Sequence, residues 1–533
     1  MSAPAPVSDS VWSVLRNPAF RVVWFAALFS NLGSFLHETA AVWTMASLSA
    51  NPLWVSMMQS ALTLPLFLLG VPAGALADQK SPRRVLLRSE PFLGTVAASL
   101  ALTAWMGWLN GPTLLAFTLL LGVGVAFALP SWQALLPELV RKEEIPNAVA
   151  LVGLSLNLSR AIGPAIGGLI LSFAGPAVCF ALNAATFFTI AWVLYRQPAA
   201  PRAPRPHAER YFESILAGMR YVRHAPLLVI VLQRMVGFVF PASCALALFA
   251  FLARREWDFG PAAFGAFMAA YGLGAVIAAS LVPRLRKRLS LRAILACGAA
   301  AFALFGILLA TLPGGPVMIL LAPLGGIGWM LSISTLNPSA HAASAPWVRG
   351  RALAFNLLCF QGSIALGALF WGACAAQFGT RPSILTAMGL LAAAALILHR
   401  RDFERVKQLD LAPAEDLPPE PDVHFASGTL SPQARIVVSI QYQIDPADAP
   451  AFIAAMRPLG VARRRTGASG WELTERTDTP GLYEERFRVA SWEEHLRQHD
   501  RITRSDAVLR DAAKAFHKAP TPPRVHHWIE RWG

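Results

Sequence analysis

The chain has 533 residues, 55% of them hydrophobic and only 14% charged, with a formal net charge of +15 at pH 7. Soluble globular domains are about a quarter charged, so an ordinary soluble protein is excluded. The charge is also unevenly spread. Residues 1–400 hold 27 Lys/Arg against 11 Asp/Glu, and residues 401–533 hold 19 against 20. The basic excess therefore sits in the greasy portion, which argues against a nucleic-acid-binding domain.

A helix needs about 20 apolar residues to cross about 30 Å of hydrocarbon. Twelve runs answer to that description, near 20–47, 53–77, 85–108, 113–137, 148–173, 177–195, 226–252, 261–283, 290–312, 316–343, 351–377 and 382–399. The first is too long for a cleavable signal peptide and lacks a small-residue cleavage site. The connecting segments alternate in charge. Of the 27 basic residues, 22 fall on one side of the membrane, Arg254, Arg255 and Arg381 fall on the other, and Arg160 and Arg234 lie within helices. The positive-inside rule then predicts that both ends are cytoplasmic. All five cysteines lie in apolar runs without a CxxC pair, so neither a disulfide framework nor a metal site is expected.

These runs predict a cytoplasmic N-terminus (1–19), a six-helix half (20–195), a central cytoplasmic segment (196–225) and a second six-helix half (226–400). The central segment opens Pro-rich and continues with Tyr211, Phe212, Ile215, Leu216, Met219 and Val222 at helical spacing. That pattern suits an amphipathic helix, either on the inner membrane face or packed on the bundle. Six plus six helices around a long cytoplasmic connection is the layout of a secondary transporter built from two repeats.

Residues 401–432 are an acidic, Pro-rich linker, and 433–533 have the texture of a soluble domain. Val438, Ile440, Tyr442 and Ile444 alternate with more polar neighbours and predict a strand. A helix near 448–458, a hairpin of Gly470–Thr477 with Tyr483–Val489 about T-D-T-P-G, a helical stretch at 491–518 and a strand near 524–530 follow. The order βαββαβ is ferredoxin-like. The fold class expected is thus an all-α polytopic membrane protein of twelve helices with a small α+β cytoplasmic domain.

The junction of the second and third runs reads G-V-P-A-G-A-L-A-D-Q-K-S-P-R-R. Gly74 and Asp78 are four apart and share a helix face. Gly74 admits a close neighbour, and Asp78 can pair with Arg83 or Arg84 as a cytoplasmic latch. In the fifth run, R-A-I-G-P-A-I-G-G places Gly163, Gly167 and Gly168 on a small-residue face, with Pro164 bending the helix. Ionisable groups inside a bilayer are costly and usually functional. Glu38, beside His37, lies in the outer part of the first run and is the leading proton carrier. Arg160 is a partner for Glu38 or a cavity-facing cation, Arg234 either snorkels inward or lines the cavity, and Asn337 is a cavity candidate on the tenth run.

The first junction resembles motif A of the major facilitator superfamily, with Gln79 and Pro82 departing from its common form. The G-P-A-I-G-G string resembles the antiporter motif of exporters in that superfamily. S-N-L-G-S-F-L-H-E-T-A-A-V-W, L-P-S-W-Q-A-L-L-P-E-L-V, S-T-L-N and P-W-V-R-G-R-A-L-A are similar to the transmembrane secretion effector, or enterobactin exporter-like, family. The resemblance implies a bacterial inner-membrane efflux protein driven by protons. It carries a small-molecule substrate, the proton as coupling ion and the lipid bilayer as partner, and it needs no cofactor. An importer of the same fold is the alternative, and a membrane-tethered enzyme or sensor is the reading from another class.

The C-terminal domain resembles the dimeric α/β-barrel monooxygenases, and a homodimerisation or regulatory role is expected there rather than catalysis. Glu485 is expected to face a pocket. His495, His499, His526 and His527 are expected to be solvated, with His495 and His499 sharing a helix face.

Overall fold

A computed structural model describes residues 10–79, 81–197, 211–400, 403, 404, 406, 409–414 and 434–530. The side chains of Val71, Ala75, Ala77–Gln79 and Tyr211–Leu216 lie outside this description. The helices of the membrane part are α1 (Pro18–Leu48), α2 (Pro52–Gln79), α3 (Pro82–Trp105), α4 (Gly111–Leu139), α5 (Ile145–Arg196), α6 (Tyr211–Arg223), α7 (Pro226–Phe251), α8 (Pro261–Arg288), α9 (Leu291–Thr311), α10 (Val317–Ala342), α11 (Arg349–Phe378) and α12 (Thr380–His399).

Among the described residues, eleven helical stretches are long and apolar enough to cross a membrane, and one of them, Lys142–Arg196, has 55 residues. That is more than twice the length of one crossing. Gly175 breaks it, with φ 76° and ψ 178°, a backbone conformation open to glycine at no steric cost. Cys179 Sγ then lies 3.8 Å from the carbonyl oxygen of Gly167. Twelve residues of straight helix would separate them by about 18 Å, so α5 is a hairpin of two crossings. Twelve crossings result, six on each side of α6.

The chain divides into two compact units. The first holds α1–α5 and most of α7–α12. One of its cores joins α1, α3, α4 and the second arm of α5 through Val23, Leu93, Val96, Leu121, Phe187 and Ile190. Glycines let other helices approach closely. A Cβ on Gly163 would meet Phe35 Cβ at 2.7 Å, and one on Gly167 would meet Leu36 Cα at 3.0 Å, so α5 lies against α1. Gly168 faces Gly265 on α8, with its Cβ position 2.7 Å from Gly265 Cα. On the side predicted to be external, each base is occupied. Arg381 Nε reaches Glu256 at 3.1 Å, and Arg254 reaches Asp258 at 3.7 Å. Arg255 donates to the carbonyls of Ala46 and Ser47, the favourable negative end of α1.

The second unit gathers α6, the first turns of α7, residues 337–355 and the C-terminal domain. The buried face of α6 is Ala217, Gly218 and Tyr221. The Tyr221 hydroxyl donates to the Ala343 carbonyl at 3.2 Å and accepts from the Ala345 N–H at 2.9 Å. The domain proper runs β1 (Ile436–Gln443), α13 (Ala449–Thr466), β2 (Ser469–Glu475), β3 (Leu482–Val489), α14 (Trp492–Asp500), α15 (Arg504–Lys514) and β4 (Arg524–Ile529). The sheet order is β2-β3-β1-β4, and every pairing is antiparallel. This is the ferredoxin-like arrangement expected of βαββαβ. The first helix extends beyond 458. The expected helical stretch 491–518 is two helices, because Thr503 starts a new one with a capping box to Asp506.

Candidate functional site

A cavity of about 330 Å³ opens among α1, α2, α3, α4, α5 and α11 in the first unit. From α1, Ser30, Ser34, His37, Glu38 and Ala41 line it, a stripe at three- and four-residue spacing that the helical period places on one face. Gln59 and Thr63 come from α2, Glu90 from α3, Thr118 and Trp132 from α4, Asn183 and Phe187 from α5, and Gln361 from α11. The size lies at the lower end of the roughly 300–1,000 Å³ typical of small-molecule sites.

Two carboxylates enter this space. Glu38 lies ten residues before the end of α1, about 15 Å from it at 1.5 Å per residue. Glu90 is buried, eight residues into α3, or about 12 Å from that helix's start. Glu90 Oε1 accepts the indole N–H of Trp132 at 2.8 Å, whereas Oε2 has no hydrogen-bond partner. His37 is buried beside Phe180, with ring centroids 4.7 Å apart, and neither ring nitrogen is hydrogen-bonded.

Glu90 escaped sequence reasoning because it follows the basic junction, where it reads as part of a charged flank. One signal was available. Arg88 is two positions away, and residues two apart on a helix do not face each other, so Glu90 had no local partner.

The other expected residues are placed as follows. Arg160 flanks Glu38 and Tyr271 and acts on both electrostatically. Among the described residues, it forms no contact ion pair with Glu38. Its guanidinium lies over Phe35, 5.8 Å from the ring centroid. Arg234 is buried away from this cavity, donates to the Leu398 carbonyl, and lines a small pocket with Arg292, Ser332 and His399. Asn337 is exposed, five residues before the end of α10, and does not line the cavity. Asn337 thus lies in the last two turns of α10.

At the motif A-like junction, Arg83 donates to the carbonyls of Leu194, Tyr195 and Gln197 at 2.8–3.0 Å, closing the C-terminal end of α5. Arg84 is exposed, and the side chain of Asp78 lies outside the described residues. At Gly74, no described atom lies within 4 Å of the position its Cβ would take. Pro164 is buried within the first arm of α5, and its carbonyl oxygen lies 2.7 Å from where a Gly265 Cβ would stand.

In the C-terminal domain, Glu485 is fully buried and faces no open pocket. It accepts from Arg463 Nε at 3.2 Å, Trp471 Nε1 at 2.9 Å and the Tyr442 hydroxyl at 3.2 Å. The expectation of solvated histidines is corrected for His495, which is buried. Its Nε2 lies 3.0 Å from His527 Nε2, and its ring centroid lies 4.9 Å from that of His499. Strand β4 carries His527 toward α14, while His526 stands opposite Ser439 on β1. Among the described residues no group of three or more His, Cys, Asp or Glu could hold a metal ion.

The fold is shared with solved transporters. The peptide transporter POT, solved as a point mutant, matches with a TM-score of 0.61 at 12% identity, covering 75% of this chain and 99% of that one. A bacterial homologue of the human lysosomal transporter Spinster matches with a TM-score of 0.57 at 14% identity, covering 73% and 98%. By sequence, the enterobactin exporter EntS of Escherichia coli O127:H6 is 32% identical over 334 residues, 60% of this chain and 76% of that protein. EntS of Shigella boydii serotype 4 matches over the same shares. The family model described as transmembrane secretion effector matches residues 9–532. Twelve crossings in two halves, a polar cavity among them and this match together establish that the chain belongs to the transmembrane secretion effector family of major facilitator transporters.

Proposed function

We propose that the protein exports small organic molecules across the bacterial inner membrane in exchange for protons, by alternating access, with both termini in the cytoplasm. The observation that carries the reading is the membrane cavity lined by Glu38 and Glu90 in a chain 32% identical to enterobactin exporters. A carboxylate deep in the membrane can take a proton on one side and release it on the other. Glu38, toward the outer end of α1, is the proton carrier, with His37 beside it. Gly74, Asp78, Arg83 and Arg84 form the cytoplasmic gate, with Arg83 tying it to the C-terminal end of α5. Gly163, Pro164, Gly167 and Gly168 hold the first arm of α5 against α1 and α8, the seam on which the two halves rock. The C-terminal domain is an accessory module that brings two copies together.

The test is an efflux screen of siderophores, drugs and dyes in cells lacking their own pumps, with and without a proton uncoupler. Export that the uncoupler abolishes is expected, and Glu38→Gln should eliminate it while leaving substrate binding intact. Substrate that accumulates in expressing cells would make the protein an importer. Unchanged export by Glu38→Gln would remove that residue from coupling. Deleting residues 433–533 should leave export in place.

A further inference from the structure

We infer that the cavity in the first unit takes an organic cation, with Glu90 as its anionic contact. The inference deepens the transport reading and rests on the same cavity. Three observations support it. First, the cavity's charged lining groups among the described residues are Glu38 and Glu90, and no Lys or Arg lines it. Arg160 acts on Glu38 from outside the lining. Second, Glu90 is buried with one neutral donor, Trp132, on Oε1 and nothing on Oε2. A buried carboxylate left this way is costly, so a proton or a positively charged ligand must neutralise it. Third, the surroundings that complete a cation site are present. Phe35, Trp132 and Phe187 line the same space, and aromatic faces attract desolvated cations. Gln59, Asn183 and Gln361 supply hydrogen-bond partners.

Trp132 has a positioning part in this arrangement. Its N–H occupies Oε1 and leaves Oε2 without a donor, so the second oxygen keeps its full demand for a positive partner. An organic anion of the same size would meet two carboxylates and no lining guanidinium or ammonium group, so charge sign becomes the selecting property.

The experiment is titration calorimetry of the full chain, purified in detergent without any gradient, with ethidium as the organic cation and anilinonaphthalenesulfonate as an aromatic anion. Saturable binding of ethidium and none of the sulfonate is expected. Glu90→Gln should weaken ethidium binding by roughly tenfold or more, and Glu90→Asp, which keeps the charge but shortens the arm, by about threefold. Sulfonate bound as tightly as ethidium, no saturable ethidium binding by the folded protein, or unchanged ethidium binding in both variants would overturn the inference. If Glu90→Gln fails to fold, Glu90→Asp and the cation-to-anion preference of the unaltered protein decide the matter. Because no gradient is used, failure of export in cells leaves this inference standing, and loss of the cation preference leaves the export reading standing.

Discussion

Nε2 of His495 on α14 and Nε2 of His527 on β4 face each other at 3.0 Å, so one ring donates its N–H to the lone pair of the other. The contact requires that the pair not be doubly protonated. Burial, and then the neighbouring His499 and His527, push the His495 imidazole down to about 3. Burial likewise lowers His499 and His527. In the unfolded chain each would titrate near 6.5. The folded form therefore binds fewer protons than the unfolded one below that pH. The stability these groups contribute is fully present above about 6.5 and falls as pH drops toward 3. Hydrogen exchange of residues 492–530 in the full chain should show progressively easier opening from pH 7 to pH 4.5, by at most about 1.4 kcal/mol per pH unit for one histidine. His495→Gln should flatten that dependence.

Glu485 is the electrostatic centre of the C-terminal domain. Replacing it with Ala leaves the Arg463 guanidinium in a largely buried site without its carboxylate. Loss of one partner of a buried pair typically costs about 3–5 kcal/mol. Glu485→Ala should therefore open β1 and β3 to hydrogen exchange throughout, and Glu485→Gln, which keeps an acceptor for Trp471 and Tyr442, should do so less. Exchange in α1–α5 should be unchanged in both variants.

Much of this architecture was legible in advance. Apolar length alone marks twelve crossings, and the alternation around Val438, Ile440 and Tyr442 marks the first strand of the small domain. The features that escaped depend on contacts distant in sequence. His495 and His527 are 32 positions apart and meet only because β4 pairs with β1. Glu90 and Trp132 are 42 apart and meet only because α3 lies beside α4. Local periodicity says which face a residue occupies but not what stands opposite, so Glu38 and its neighbour His37 could be singled out while the companion carboxylate could not.

Glu494 joins α6 to the small domain. It accepts from Arg220 at 3.0 Å and from Arg501 at 2.6 Å, and the Arg501 guanidinium in turn lies 4.5 Å from the centre of the Trp347 ring. Glu494→Ala should release both arginines together. Limited trypsin digestion should then cut at Arg220 or Arg223 several-fold faster than in the unaltered protein, with Glu494→Asp close to normal.

The glycines of α5 and α2 should behave oppositely. A methyl group on Gly168 would stand 2.5 Å from the Pro261 carbonyl oxygen, and relieving such overpacking costs about 1–3 kcal/mol. Gly168→Ala should lower the melting temperature of the detergent-solubilised protein and reduce transport. Gly74→Ala meets no described atom within 4 Å and should leave the melting temperature unchanged. Any loss of transport in that variant would then belong to a different step of the cycle.

The turn at Gly175 has a mechanical meaning. One residue outside helical geometry joins the two arms of α5, so there is almost no slack between the fifth and sixth crossings. The first arm touches α8 at Gly168, and the second carries Phe188 against Gly94 on α3, four residues from Glu90. On the proposed alternating-access cycle the hairpin would act as a stiff crank, passing a shift at the seam with the second half to the wall of the cavity without a loop to absorb it.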